Sequence, residues 1–353
     1  MYFKRIFFRK YKLIMIIFLL LILLKIKNNK KLKIGVIGVR HEVNIGNNLI
    51  KYAISIKLSE LGFIPYIIGT HYNNFSLSFI NKTVNLVIIK NNFSEIKKDE
   101  YDILMVNSDQ TWRKFDKHYY DYGFLKFAKN WTIPKFIYGA SLGFDYWPLN
   151  AEDEKIIKVL IQKFKNISVR EQGSINLIKK HLKIEPEFVL DPTLLIVKKY
   201  YINLIRNYSS NIYINDNYIF TYIITVEKNM DNFINRASKE LNYKVYNMTL
   251  DNQSIVEEFI YRIINCKAIV TNSYHGTIFS IIFNKPFVTF TFKDSARERL
   301  ISLGNLFGFK NRIFEYNQNP SVNLLTLPLN VNLTLINYLR VKSIEYIKKN
   351  IKL

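Results

Sequence analysis

His275 stands in the run Thr271-Asn272-Ser273-Tyr274-His275-Gly276-Thr277, between a β-rich apolar stretch and a run that is apolar all round. A lone histidine is usually a hydrogen-bonded surface or core residue, but one at such a strand-to-helix junction would lie at the floor of a cleft, where it suits proton transfer. A second run, Asn107-Ser108-Asp109-Gln110-Thr111-Trp112-Arg113, follows a short apolar strand and gathers an acid, an amide, an indole and a guanidinium. Ser108 or Asp109 could serve there as a helix cap, which would leave Gln110 and Trp112 unexplained. In Ser168-Val169-Arg170-Glu171-Gln172 an arginine closes another strand, either held in place by Glu171 or paired with it weakly at a rim. Asn44-Ile45-Gly46-Asn47-Asn48 opens a helix whose free N–H groups and dipole favour a phosphate or carboxylate. An ordinary strand-to-helix turn would look the same.

The elements that must position these residues alternate from Lys33 onward, short β-rich runs with helical periods, the pattern of parallel sheets covered by helices. Strands are expected at 34–38, 65–68, 84–89, 103–107, 135–139 and 167–170, with helices at 47–61, 152–164 and 174–182. After Asp191-Pro192 the rhythm breaks, and 198–217, rich in Tyr, Asn and Ser, reads as a linker. Strands at 218–226, 244–248, 268–271 and 287–292 follow, with helices at 230–241, from about 255, and at 277–283. Ser254 and Glu257 have capping-box spacing for the second of these helices. The expected fold is α/β: Rossmann-like domains at 33–197 and 218–353 face each other across a cleft, with ligands at the carboxyl ends of the strands.

Composition narrows the partners. Lysine and arginine number 51 against 28 acidic residues, a formal charge of +23 over 353 residues, which suits phosphorylated substrates, anionic lipid or nucleic acid. The excess is mostly Lys, accompanied by abundant Ile and Asn, and no basic block lies outside the N-terminus, so no nucleic-acid partner is expected. The single cysteine, Cys266, excludes an internal disulfide and a multi-cysteine zinc site and reads as a buried structural thiol. A three-glycine dinucleotide fingerprint is missing, so no nicotinamide or flavin cofactor is expected. Residues 13–24 are unbroken apolar, preceded by Lys4, Arg5, Arg9, Lys10 and Lys12. Twelve residues are short against the roughly 20 that span a bilayer. The segment 1–32 is read as an uncleaved membrane anchor, its orientation undecided because basic residues flank both sides.

In order and spacing the polar runs resemble the motifs of the polysaccharide pyruvyl transferase family. They read NIGNNL at 44–49, SDQTW at 108–112, SVREQ at 168–172, VLDPTLL at 189–195 and SYHGTIFSIIFNKPF at 273–287. YGASLG at 138–143, and Arg299 with LFGF at 306–309, extend the likeness from about Lys33 to Phe314. The resemblance implies an architecture like that of the B-class glycosyltransferases, no metal, and transfer of the pyruvyl group of phosphoenolpyruvate to a pair of sugar hydroxyls. Such a reaction needs cations or N–H groups for the donor, an acid for its methylene carbon and a base for the attacking hydroxyl. Arg170 and His275 are implied as catalytic, His275 moving the proton, and Asp109 would act as base or orient the acceptor. Gly46, Asn47, Ser273, Gly276, Thr277 and Arg299 are expected around the donor, with Gln110 and a stacking Trp112 around the acceptor. One departure is Ser273-Tyr274 where some members carry Arg-Leu before His-Gly; if that arginine binds the donor phosphate, Arg299, Arg297 or Lys293 supplies the charge here, or the donor differs. Two other readings stand beside this one: a sugar-nucleotide-dependent glycosyltransferase on the same fold, and a non-catalytic carbohydrate-binding or assembly protein at a membrane.

Overall fold

The computed structural model describes residues 31–38, 44–69, 74–88, 92–114, 118–206, 208, 217–249, 255–292 and 297–351. The expected anchor lies outside them up to residue 30, as do Lys293, Ser254 and residues 207 and 209–216 of the expected linker. Among the described residues no helix is long and apolar enough to cross a membrane.

Two sheets organise the chain. The first holds β1 (Lys33–Ile37), β2 (Ile64–Gly69), β3 (Leu86–Ile88), β4 (Ile103–Val106), β5 (Lys135–Ala140), β6 (Asn166–Val169) and β7 (Glu187–Phe188), in the order β3-β2-β1-β4-β5-β6-β7. The second holds β8 (Tyr218–Ile223), β9 (Lys244–Thr249), β10 (Ala268–Thr271), β11 (Phe287–Thr291) and β12 (Ile313–Glu315), in the order β12-β11-β10-β8-β9. Paired strands run parallel, as for β1 with β4 and β10 with β8. Central strands such as β4 and β10 are buried throughout, which is why they read as continuous apolar runs without alternation. In each sheet the strand order reverses once, between β1 and β4 and between β10 and β8, opening a crevice at the carboxyl ends.

The helices that matter here are α1 (Ile45–Glu60), α2 (Ala151–Ile161), α3 (Gln172–Leu182), α4 (Val256–Asn265), α5 (Tyr274–Ile282), α6 (Arg297–Phe307) and α7 (Leu333–Ile351). Asn44 caps α1 by accepting from the Gly46 amide at 2.8 Å, and Asn150 caps α2 by accepting from the Asp153 amide at 2.8 Å. Helix α4 begins close to the expected position, and its flanking residue Ile255 makes no side-chain cap. Helix α5 begins three residues before the expected 277, because Ser273 caps it through the Gly276 amide, so His275 belongs to its first turn. Cys266 is buried as expected, and burial pushes its thiol pKa up to about 12.

The last helix departs from the expected division. Although α7 follows the second sheet, it packs on the first: Tyr346 donates its hydroxyl to the Ile137 carbonyl at 2.7 Å, and Ser343 accepts from the Leu190 amide at 2.9 Å. Asn166 and Asn350 are joined at 2.7 Å. The amphipathic pattern of α7 announces a buried face without saying which sheet covers it. One apolar core accordingly runs through both halves, from Ile34 and Tyr138 through Tyr201 to Phe220, Phe279 and Ile347.

Candidate active site

Both crevices open onto one place. Arg170, just past β6, has a side chain without solvent exposure and is surrounded by three carboxylates. Nη1 donates to Asp191 at 2.6 Å, Nη2 to Asp109 at 2.9 Å and Nε to Glu171 at 3.3 Å. The rim ion pair is thereby corrected: Arg170 is a buried hub, since a guanidinium without water needs carboxylates on each edge of its fork. Burial opposes its charge, yet Asp109, Tyr274, Asp191 and Glu171 together raise its pKa above the ordinary arginine value. Burial also works against the Asp191 carboxylate, but His275 and Arg170 hold its pKa well below the usual range. For Glu171 burial wins and the pKa is raised.

Asp191 begins the short turn Pro192–Leu194. Its Oδ1 accepts from the Thr193 amide at 3.0 Å and hydroxyl at 2.6 Å, which leaves Oδ2 for Arg170. The same oxygen lies 3.7 Å from His275 Nε2, an ionic approach longer than a hydrogen bond. His275 is buried, and its Nε2 has no hydrogen-bond partner among the described residues. Its ring reaches across from the second sheet to α1, where Gly46 leaves the room it needs: a Cβ at residue 46 would sit 2.0 Å from Nδ1.

Asp109 takes a backbone φ of +102°, a region a non-glycine residue enters only at a cost. Residues 110–114 after it form no helix, so the helix-cap reading fails. Instead the Asp109 carbonyl accepts from Ser141 at 3.1 Å, tying the β4 end to the β5 end, and Ser108 donates its hydroxyl to Gly139 at 2.8 Å. Burial raises the Asp109 pKa, but Arg170, His275 and Arg299 outweigh it and hold the carboxylate low. Tyr274 lies under two guanidinium groups, Arg170 at 4.6 Å and Arg299 at 5.3 Å from the ring centre, and meets His275 edge-on. Arg299, on α6, is partly exposed, and its Nε has no partner among the described residues. Arg297 Nε likewise has no partner among the described residues, but its Nη2 is paired with Glu315 at 3.2 Å.

Arg170, Asp109, His275 and Arg299 are thus brought together as the sequence suggested. The remaining expected residues shape the site from behind. The Gly46 amide is taken by Asn44, and Asn47 is buried beside it. Ser273 caps α5, a Cβ on Gly276 would lie 2.4 Å from Thr271 Oγ1, and the Thr277 hydroxyl is taken up by the Ser273 carbonyl and Thr289. Trp112 is a correction: it is fully buried and stacked on Phe124 with ring centres 5.2 Å apart, so it has no face for a sugar. Gln110 is half-buried, its amide against Gly143. Sequence reasoning assigned no role to Asp191, Glu171's buried state or Tyr274. The Asp-Pro-Thr turn after a strand was the available signal for Asp191; Tyr274 had none. Among the described residues no three His, Cys, Asp or Glu side chains converge as a metal site would require.

The polysaccharide pyruvyl transferase family model matches residues 44–294, a span that includes Asp109, Arg170, Asp191 and His275. The chain belongs to the polysaccharide pyruvyl transferase family. It is therefore an enzyme, and the non-catalytic reading falls. Its family's activity is pyruvyl transfer to glycans. No curated protein matches the sequence. Among solved structures, this pyruvyl transferase is similar to the S. aureus MnaA–UDP co-structure, with a TM-score of 0.53 and 16% identity over 84% of this chain and 86% of that one. A putative UDP-N-acetylglucosamine 2-epimerase from Listeria monocytogenes gives 0.50 and 10%, over 89% and 91%. At such identities the likeness is one of fold, and it agrees with the two-sheet, B-class glycosyltransferase-like architecture expected for the family.

Proposed function

We propose that this pyruvyl transferase takes its pyruvyl group from phosphoenolpyruvate and sets it as a ketal on two hydroxyls of a sugar. Protonation of the donor methylene makes C2 electrophilic, one hydroxyl adds there, inorganic phosphate leaves, and the second hydroxyl closes the ketal. Arg299 suits the donor's phosphate or carboxylate, because its Nε has no hydrogen-bond partner among the described residues. It takes the place of the arginine that Ser273 lacks. Arg170 adds positive potential beneath it while keeping Asp109 and Asp191 ionised. His275 delivers the proton to the methylene carbon, and Asp109 receives one from the attacking hydroxyl. Gln110 faces the acceptor, and the N-terminal segment 1–32 holds the enzyme at a membrane.

The observation that carries this reading is the meeting, in one cleft, of an arginine Nε and a buried imidazole Nε2 that have no hydrogen-bond partner among the described residues. Both atoms are costly to leave without a partner, and an anionic donor supplies one. Incubation with phosphoenolpyruvate and methyl hexopyranosides should release phosphate only when a sugar is present. Calorimetric binding of UDP-sugars with none for phosphoenolpyruvate would replace this reading with sugar-nucleotide transfer.

A further inference from the structure

The ring expected to stack on the acceptor, Trp112, is inside the core, yet aromatic surface is present on the same edge of the sheet. The loop after β5 carries Phe144, Tyr146 and Trp147. Tyr146 is 53% exposed. A single exposed tyrosine is ordinary; this one sits on a loop fastened to the candidate active site. The Ser141 amide donates to the Asp109 carbonyl at 3.1 Å and the Trp112 amide to the Ser141 carbonyl at 3.2 Å. At Gly143 the chain turns with φ +77°, so close to Gln110 that a Cβ there would lie 2.8 Å from its amide nitrogen. Beyond the turn, the Phe144 ring takes the Arg113 guanidinium at 4.7 Å and the Tyr146 ring at 5.0 Å, the two rings 32° from parallel. Trp147 stacks on His181 of α3 at 4.5 Å and 6°, which fixes the far end of the loop.

We infer that Tyr146, backed by Phe144 and bordered by Gln110, is the platform on which the ring of the acceptor sugar lies. One face of a hexopyranose presents mostly C–H groups and its rim presents hydroxyls. A flat aromatic surface matches the face, and the Gln110 amide and the Tyr146 phenol match the rim. The Asp109–Ser141 bond ties the start of this loop to the backbone of the residue assigned as base, so the platform and that residue belong to one connected edge of the sheet. The stack from Arg113 to Tyr146 holds the tyrosine in place before the sugar arrives, which limits the ordering cost of binding.

This inference rests on the glycan-acceptor part of the proposed function and is tested apart from the donor. Saturation-transfer NMR, irradiating aromatic protons of the full chain, is recorded with a panel of methyl hexopyranosides in the absence of phosphoenolpyruvate. The expected result is transfer to the C–H protons of one sugar face for at least one panel member. Its sugar dissociation constant should rise about tenfold in Tyr146→Ala and Phe144→Ala, and Tyr146→Phe should restore most of it. Thermal melts confirm that each variant is folded. In the phosphate-release assay the Ala variants should raise the acceptor KM by a similar factor and leave the phosphoenolpyruvate dissociation constant unmoved. Sugar affinity and acceptor KM unchanged in folded Tyr146→Ala, or no panel sugar receiving saturation, would overturn the platform. Sugar binding through Tyr146 without any turnover of phosphoenolpyruvate would leave the platform standing and remove the donor reading instead.

Discussion

Gly46 lies directly against the imidazole of His275, on opposite sides of the cleft, with room for a hydrogen atom and for nothing larger. A Cβ at this position would stand 2.0 Å from Nδ1, so a methyl group must displace the ring or part the two halves. Gly46→Ala is expected to lower stability by about 1–3 kcal/mol, the usual cost of overfilling a packed site, and to reduce turnover strongly. Chemical denaturation and phosphate release measure the two effects. If both match the wild type, the imidazole does not rest on Gly46.

His275→Gln keeps a polar side chain of similar reach and removes the imidazole. Phosphoenolpyruvate affinity should stay within about tenfold of wild type. Turnover should fall by about 10² or more. Single-turnover phosphate release on protein shown to be folded decides the matter, and full activity would end the catalytic assignment. Arg170→Lys should weaken stability and donor binding together, because an ammonium cannot meet Asp191, Asp109 and Glu171 at once.

Asp191→Asn removes the counter-charge of a guanidinium that has no water to fall back on. Breaking such a pair from one side costs about 3–5 kcal/mol at neutral pH. Since the folded carboxyl is held below its unfolded value of about 3.9, the ionised form contributes fully above that pH and its contribution is lost as pH falls further. The stability gap between wild type and Asp191→Asn should therefore be constant from pH 7 to about 4 and narrow below. Urea titrations across that range test this; a gap that widens on acidification contradicts the ion pair.

Deleting residues 1–29 should leave a folded enzyme that no longer sediments with membranes, because the first sheet begins at Lys33 with β1 paired between β2 and β4. Cell fractionation and a thermal melt of the shortened chain provide the readouts. Loss of a cooperative transition would assign the segment to the core, and unchanged sedimentation would remove its role as an anchor.

Much of this enzyme is written locally. The apolar runs that became β1, β4, β8 and β10 are buried on both faces, and a buried parallel strand has a signature that needs no knowledge of its neighbours. The polar residues after them were legible for a related reason: in a parallel sheet every carboxyl end lies on one edge, so Asp109 and Arg170 share an edge of the first sheet and His275 stands at the same edge of the second. The ordered motifs carried the family in the same way.

Only the tertiary structure decided how those residues are paired and which of their neighbours are buried. Asp191 becomes the link between Arg170 and His275 through contacts that join positions far apart in the chain, and no local pattern reports such an approach. Trp112 and Tyr146 are both aromatics on strand-end loops, yet one fills the core and the other stays 53% exposed, because their fates depend on Phe124 and on the turn at Gly143. Helix α7 carries an apolar stripe that either sheet could have covered, and the hydrogen bonds of Ser343 and Tyr346 to the first sheet's side made the choice. Periodicity and residue type are properties of a segment and survive in the sequence; partner, burial and charge balance are properties of pairs, and they exist only once the chain has closed on itself.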